Sequence, residues 1–163
     1  MATAAVTAAL HYFALAIGFA SVVARGNSLR ALLRASAVER KEILKGLFLA
    51  DTIWGIAALL WMVSGLLRAF GGLEKGTAYY LANHLFLFKL GLFLFIFALE
   101  IPPMITFIKW RISVKKGHVP VKVDNKTFLQ RLWLMNFVEC VLVVVIILVA
   151  SFMARGFGVV QIH

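Results

Sequence analysis

Two charged side chains inside an apolar stretch are the first candidates for chemistry in this sequence. Residues 81–110 are almost wholly apolar, yet they include Lys89 and Glu100. On a helix these two side chains lie about three turns apart, on nearly the same face and roughly 16 Å apart along the axis. Ionisable residues inside a membrane cost free energy and mark substrate or proton pathways. This face is therefore where we look first for function.

The other polar residues in apolar stretches fall at two depths if successive spans alternate in direction. His11 lies at a depth similar to that of Lys89. The remaining polar residues are predicted near the opposite surface and form a buried polar cluster of Asp51, Glu100, Asn136 and Glu139. Within it, Asn136 and Glu139 are three residues apart and so share one face of their helix.

The three carboxylates of this predicted cluster cannot all stay ionised at close range in a low dielectric. Either at least one is protonated, or they pair with basic residues near the membrane surface. The candidates for such pairing are Arg25, Lys45, Lys109 and Arg131. Two interpretations stay open: ion pairs that fix the helices at the interface, and a proton-accessible or substrate-binding site.

His11 also has two interpretations. A single histidine in a helix is more often a hydrogen-bonded packing residue, but neutral imidazole is also a common haem ligand in helical proteins. A second nitrogen is available from Lys89 at similar depth, or from His84 nearer the surface, where it also fits an interfacial belt. His11, Lys89 and His84 are therefore the candidate cofactor-binding residues, with His11 as the candidate metal ligand.

The composition indicates an integral membrane protein. The chain has 163 residues, of which 63% are hydrophobic, whereas soluble domains are about 45–50% apolar. Its net charge of +10 comes from basic residues between the apolar runs rather than from a nucleic-acid-binding patch. The single cysteine, Cys140, excludes a disulfide framework.

The apolar runs predict an all-α, up-down-up-down four-helix transmembrane bundle in a single domain, 1–163. The expected helices cover residues 2–24, 37–68, 81–110 and 125–154. The first and third loops are rich in Lys and Arg, so we expect both on the cytoplasmic side of a bacterial inner membrane, with both termini outside. The expected partners are the lipid bilayer and a homo-oligomer or larger membrane complex, without nucleic acid.

Local signals predict the helix ends. Ser36 followed by Glu39 fits a capping box before the second helix, and Asp124 is a plausible N-cap for the fourth. Pro102 and Pro103 predict a kink in the third helix. The sequence has no CxxCH, Walker A, GxGxxG, HExxH or GxSxG motif, so hydrolase, nucleotide-binding and zinc functions are disfavoured.

Short segments spread over the chain resemble a bacterial family of predicted membrane proteins, domain of unknown function 2214. The resemblance covers nearly the whole chain and brings no established activity with it. The segments that carry it are Leu10 with His11, residues 78–83, 88–90 and 101–103, and residues 153–156 near the end.

A second set of residues is similar to the HemJ-type protoporphyrinogen oxidase family, small helical membrane proteins that bind haem b. The similar positions are His11, Lys89, and Asn136 with Glu139. The Asn and Glu are adjacent in that family, and Glu100 stands where it has a histidine. The resemblance implies a haem b site in which His11 binds the iron.

These observations give one leading hypothesis and two alternatives. The leading one is a haem-binding or redox-associated protein in which Lys89 neutralises a propionate or acts as a second ligand, and the carboxylates handle protons. The first alternative is a non-catalytic accessory or self-associating bundle that packs through glycine and alanine stripes. The second is a small proton-coupled carrier that uses Asp51, Glu100 and Glu139. Whether the protein is an enzyme stays open.

Overall fold

A computed structural model describes residues 2–158. It shows four helices that are long and apolar enough to cross a membrane. They are α1 (Ala2–Leu32), α2 (Arg40–Phe70), α4 (His84–Lys115) and α5 (Lys126–Ala154). A short helix, α3 (Thr77–Leu81), precedes α4, and a 3₁₀ turn (Val121–Asp124) precedes α5. The predicted all-α class with four spans is confirmed. The sidedness of the termini stays a prediction from the distribution of basic residues.

Three layers of buried apolar side chains are stacked along the bundle. At one end lie Leu29 and Leu32 of α1, Leu44 and Leu47 of α2, Phe107 and Trp110 of α4, and Leu129 and Leu132 of α5. The middle layer includes Ala14, Val22, Trp54, Trp61, Ile96, Val143 and Ile146. The far end is built from Ala69, Tyr80 and Phe86. Residues late in α1 and α4 thus meet residues early in α2 and α5, so neighbouring long helices run in opposite directions.

The helices do not enclose the core evenly. α1 packs closely along α2 and also against α5, and α5 packs against α4, whereas α2 and α4 meet only over a short stretch. Close approach of α1 to α2 depends on the absence of a side chain at Gly18, where an added Cβ would lie 3.2 Å from the Trp54 ring. Small residues at interfaces allow such approach in membranes. The bundle is therefore tight around α1 and more open between α2 and α4.

Four predicted helix bounds were wrong. α1 continues to Leu32 instead of ending at 24 because Leu29 and Leu32 pack into the core. The helix expected over residues 81–110 begins at His84, after the separate short helix α3, and runs on to Lys115. α2 begins at Arg40 rather than 37.

Two local predictions also need correction. Glu39, not Ser36, occupies the N-cap position of α2; only part of a capping box forms, in which the Ser36 hydroxyl and backbone N–H donate to the Glu39 carboxylate. Asp124 does not cap α5: Asn125 does, by accepting from the backbone N–H of Phe128. Asp124 instead forms an ion pair with Arg40. Pro102 and Pro103 lie inside a continuous α4, so the helix does not end there.

Asn83 joins the start of α4 to the end of the chain. Its fully buried side chain accepts hydrogen bonds from the backbone N–H groups of Leu85 at 2.9 Å and Phe86 at 3.2 Å, and donates to the Phe157 carbonyl at 3.1 Å. The backbone N–H of His84 adds a bond to the Gly158 carbonyl at 2.9 Å. One side chain therefore caps α4 and fastens the turn after α5.

We expect Asn83→Ala to lower the free energy of unfolding by about 2 kcal/mol, because it removes a cap and leaves the part-buried Phe157 carbonyl without its donor. Asn125→Ala removes an exposed cap and serves as the matched control, with an expected loss of about 1 kcal/mol. Thermal unfolding of both variants in one detergent, followed by circular dichroism, gives the comparison. Equal losses would contradict the fastening role of Asn83.

Candidate functional site

A single guanidinium is the centre of the buried polar cluster. Arg25, on α1, is completely buried. Its Nε donates to Asn136 Oδ1 at 2.7 Å. Its Nη1 and Nη2 donate to the two carboxylate oxygens of Glu100 at 2.5 and 2.9 Å. The same nitrogens reach Asp51 Oδ1, at 3.3 Å, and Glu139 Oε2. All five N–H donors of the arginine are therefore used.

The partners of Arg25 come from every other long helix. Asp51 lies on α2, Glu100 on α4, and Asn136 and Glu139 on α5. The structure thus brings together the whole predicted cluster and adds Arg25, which the sequence placed at the membrane rim. Polar side chains that bond across helices hold membrane bundles together where lipid is as apolar as the side chains. The cluster therefore joins the four spans at one level.

Asn136 fixes the orientation of Arg25. Its Nδ2 donates to the Val22 carbonyl of α1 at 3.0 Å, so its Oδ1 is turned towards the guanidinium. Space for this amide exists because residue 26 is glycine: an added Cβ there would lie 2.5 Å from Asn136 Nδ2. Arg25 and Gly26 therefore act together: Arg25 bonds to the Asn136 amide, and Gly26 leaves the space that this amide occupies.

A second arginine reaches the edge of the cluster. Arg111 Nη2 donates to Asp51 Oδ2 and to the Phe48 carbonyl, both at 2.7 Å. The Arg25 guanidinium also lies 5.8 Å from the centre of the Phe107 ring, within the range of a cation–π contact. Asp51 is consequently held between two arginines, while Glu139 contacts only one.

His11 lies towards the other end of the bundle, in a buried chain of hydrogen bonds. The Trp61 indole donates to His11 Nε2 at 3.0 Å, and His11 Nδ1 lies 3.0 Å from Ser64 Oγ. Ser64 Oγ also lies 2.6 Å from the Leu60 carbonyl, to which only its hydroxyl can donate. These bonds require a neutral imidazole with its proton on Nδ1. Both ring nitrogens of His11 are thus engaged.

A cavity of about 630 Å³ opens beside His11, and we name it the His11–Lys89 cavity. Pockets of 300–1,000 Å³ commonly bind small molecules. Its deeper wall includes Trp61, Gly65 and Ile146, and Lys89 of α4 also faces it. Its mouth carries the charged residues Arg68, Glu74, Lys75 and Arg155. Four basic side chains and one carboxylate thus line the cavity.

Lys89 is the basic residue of this cavity without a partner. Within residues 2–158, its ammonium forms no ion pair and no hydrogen bond, although it belongs to the span of α4. Arg68 is paired with Glu74 at 2.7 Å, Lys75 bonds to the Tyr79 hydroxyl at 3.1 Å, and Arg155 bonds to the Ser151 hydroxyl at 2.7 Å. Among these four basic side chains, only Arg68 is neutralised by a carboxylate of the described chain, and only Lys89 has neither an ion pair nor a hydrogen bond there.

An apolar groove of about 200 Å³ continues from the cavity between α2 and α4, and we name it the α2–α4 groove. It shares seven lining residues with the cavity, and His11, Trp61 and Lys89 are among them. Its other walls are the apolar residues Met62, Leu66, Leu90, Phe93 and Leu94. Leu66 and Leu94 are exposed, so the groove reaches the outer surface of the bundle.

The two candidate ligands besides His11 have different places. Lys89 lies in the same cavity as His11, whereas His84 is exposed at the first residue of α4 and is not among the cavity-lining residues. No group of three or more His, Cys, Asp or Glu side chains that could hold a metal ion occurs in the described part of the chain. Sequence reasoning missed Trp61 and Ser64 as partners of His11, although their i, i+3 spacing puts them on one face.

Comparison with known proteins gives the family. The family model described as predicted membrane protein (DUF2214) matches residues 3–158. The chain belongs to this family. No curated protein and no solved structure matches the chain. The family match covers both the Arg25 cluster and the His11–Lys89 cavity, and it assigns no activity to either.

Glu74 and Tyr80, which both line the cavity, are joined by a hydrogen bond. The Tyr80 hydroxyl donates to Glu74 Oε2 at 2.6 Å, and Arg68 Nε donates to Glu74 Oε1 at 2.7 Å. Partial burial raises the pKa of the Glu74 carboxyl, but the bonds from Tyr80 and Arg68 lower this pKa more, so it lies below its ordinary value. Burial and the Glu74 carboxylate raise the pKa of Tyr80.

Because the pKa of Glu74 is lower in the folded chain, its contribution to stability is present above the unfolded pKa, about 4.3, and is lost as the pH falls through the folded value. We expect Glu74→Gln to lower the melting temperature at neutral pH and to match the unsubstituted chain in acid. Melting curves over this pH range test the prediction. Glu42→Gln, which removes an exposed partner of Lys45, is the control, and a pH-independent difference for Glu74→Gln would contradict it.

We expect Gly26→Ala to destabilise the bundle by about 1–3 kcal/mol, because the new methyl group must displace Asn136 and with it Arg25. Gly91→Ala is the matched control: it is also helical and has no atom within 4 Å of an added Cβ, so it should be neutral or stabilising by up to about 1 kcal/mol. Detergent-solubilised melting curves measure both. Equal behaviour of the two variants would show that the Arg25 cluster does not need this space.

Proposed function

We propose that the chain is a multi-pass membrane protein that binds an anionic amphiphile in the His11–Lys89 cavity. The observation that carries the proposal is the unpaired ammonium of Lys89 on the cavity wall. A lysine within a span costs several kcal/mol unless its charge is balanced. A carboxylate or phosphate of a bound ligand would supply the balancing charge.

The charge of the cavity mouth supports an anion. The carboxylate of Glu74 is already bonded to Arg68 and Tyr80, so it is not available to Lys89. Arg155 and Lys75 add positive charge at the same mouth. An anionic ligand is favoured there by the summed field, and a cationic one is repelled.

The α2–α4 groove supports the amphiphilic part of the proposal. Its walls are apolar apart from His11 and Lys89, and it begins at the same lysine that would bind the anion. A ligand with an apolar body would place that body in the groove and its charged group against Lys89. Because α2 and α4 pack over only a short stretch, such a ligand would enter from the bilayer rather than from water.

Haem b is the specific candidate that the sequence resemblance suggests, since it combines carboxylates with a large apolar ring. Lys89 would pair with a propionate, and His11 would bind the iron, which would supply electron transfer. The hydrogen bond from Trp61 occupies His11 Nε2, so iron binding requires that Trp61 release this nitrogen. The geometry therefore supports recognition of charge by Lys89 more directly than iron binding by His11.

The first experiment identifies the ligand class. The protein is purified from its own host in a mild detergent, its absorption spectrum is recorded, and bound lipids are identified by native mass spectrometry. A Soret band that His11→Ala abolishes supports haem. Colourless protein from haem-sufficient cells that retains an anionic lipid supports the amphiphile and excludes the haem form.

The second experiment tests Lys89. We expect Lys89→Met to weaken binding of a fluorescent long-chain fatty acid at least about tenfold, which corresponds to roughly 1.4 kcal/mol. Binding of the matched neutral alcohol should change little. Lys109→Met, which removes an exposed lysine near the other end of α4, is the control. Equal binding of the fatty acid by the unsubstituted chain and Lys89→Met would contradict the proposal.

A further inference from the structure

The Arg25 cluster contains more acidic than basic groups. Three carboxylates, from Asp51, Glu100 and Glu139, meet two guanidinium groups, from Arg25 and Arg111. If all three were ionised, one negative charge would remain uncompensated inside the bundle. A buried charge without a partner costs several kcal/mol, and the usual outcome is that it is neutralised.

The position of the excess charge follows from the contacts of each carboxylate. Asp51 bonds to both arginines, and Glu100 forms a two-point contact with Arg25. Glu139 accepts one bond, from Arg25 Nη2 to its Oε2, and its Oε1 is buried without a hydrogen-bond partner among residues 2–158. The side chain of Glu139 is also fully buried, while those of Asp51 and Glu100 are 13% and 17% exposed. Glu139 is the least compensated of the three.

Glu100 and Glu139 bond to the same nitrogen of Arg25, so their oxygens lie no farther apart than two hydrogen-bond lengths. Two carboxylates at this distance cannot both ionise freely in a low dielectric, whereas a carboxyl and a carboxylate can share a hydrogen bond. A metal ion is disfavoured as the source of the balancing positive charge, because the Arg25 guanidinium already lies between the carboxylates.

We infer that the Arg25 cluster is a binding site for one exchangeable proton, carried by Glu139 and bonded towards Glu100. The ionisable and charged groups around it are Arg25 on α1, Asp51 on α2, Glu100 and Arg111 on α4, and Cys140 on α5 itself. Glu100 and Asp51 reach the surface in part and provide the route by which the proton exchanges. This inference does not depend on the ligand proposed for the His11–Lys89 cavity.

Infrared spectroscopy of the protein in lipid tests the inference. At neutral pH we expect a carbonyl-stretch band of a protonated carboxylic acid that shifts in D₂O. The band should be lost in Glu139→Gln and kept in Glu42→Gln, which changes an exposed carboxylate. Absence of the band in the unsubstituted protein, or its loss in Glu100→Gln with retention in Glu139→Gln, would overturn the assignment.

Stability gives a second readout with the same variants. Glutamine resembles a protonated glutamic acid, so Glu139→Gln should change the melting temperature less than Glu100→Gln, which removes an ionised partner of Arg25. Raising the pH should remove the proton and lower the melting temperature of the unsubstituted chain more than that of Glu139→Gln. Equal losses for the two variants, with identical pH profiles, would show that Glu139 is ionised. If Glu139→Gln does not fold, the unsubstituted protein is used alone. A band that shifts in D₂O and disappears as the pH rises supports the exchangeable proton, and absence of the band contradicts it.

Discussion

The interaction on which the rest of the structure depends is the burial of the Arg25 guanidinium at the meeting point of four helices. A guanidinium removed from water is tolerated only when its donors are bonded and its charge is balanced. Arg25 meets this requirement with acceptors from α2, α4 and α5, so these helices cannot slide along α1 without breaking a charged hydrogen bond. In lipid, where apolar contacts are not favoured over lipid contacts, such bonds fix the register.

The close packing around Arg25 contrasts with the open space at the other end of the bundle. Around Arg25 the packing layer is dense, and Gly26 and Asn136 leave no spare space. Around His11 the helices spread, and the space between α2 and α4 becomes a cavity and a groove. The Arg25 cluster joins the same four long helices that line the cavity farther along the bundle.

Much of this arrangement could be predicted from the sequence because polar residues are so rare in its spans. Helical spacing and alternating direction grouped Asp51, Glu100, Asn136 and Glu139 at one level and His11 with Lys89 at another. Arg25 was read only as a rim residue because the polar stretch after residue 24 resembles a loop; Leu29 and Leu32 draw it into the helix. The sequence could not distinguish Asp124 from Asn125 as the cap of α5, because the choice depends on a tertiary contact: Asp124 forms an ion pair with Arg40.

The hydrogen bonds of His11 occupy both of its ring nitrogens. A histidine that is to bind a metal or exchange a proton needs a free lone pair, but here the Trp61 indole donates to the Nε2 lone pair and the Nδ1–H donates to Ser64 Oγ. Protonating the ring would bring two N–H groups against each other. His11 and Trp61 therefore form a neutral, prearranged wall. With His11 satisfied, Lys89 remains as the polar group of this wall without a partner in the described chain, so the ligand that we propose would be recognised through its charge rather than through coordination.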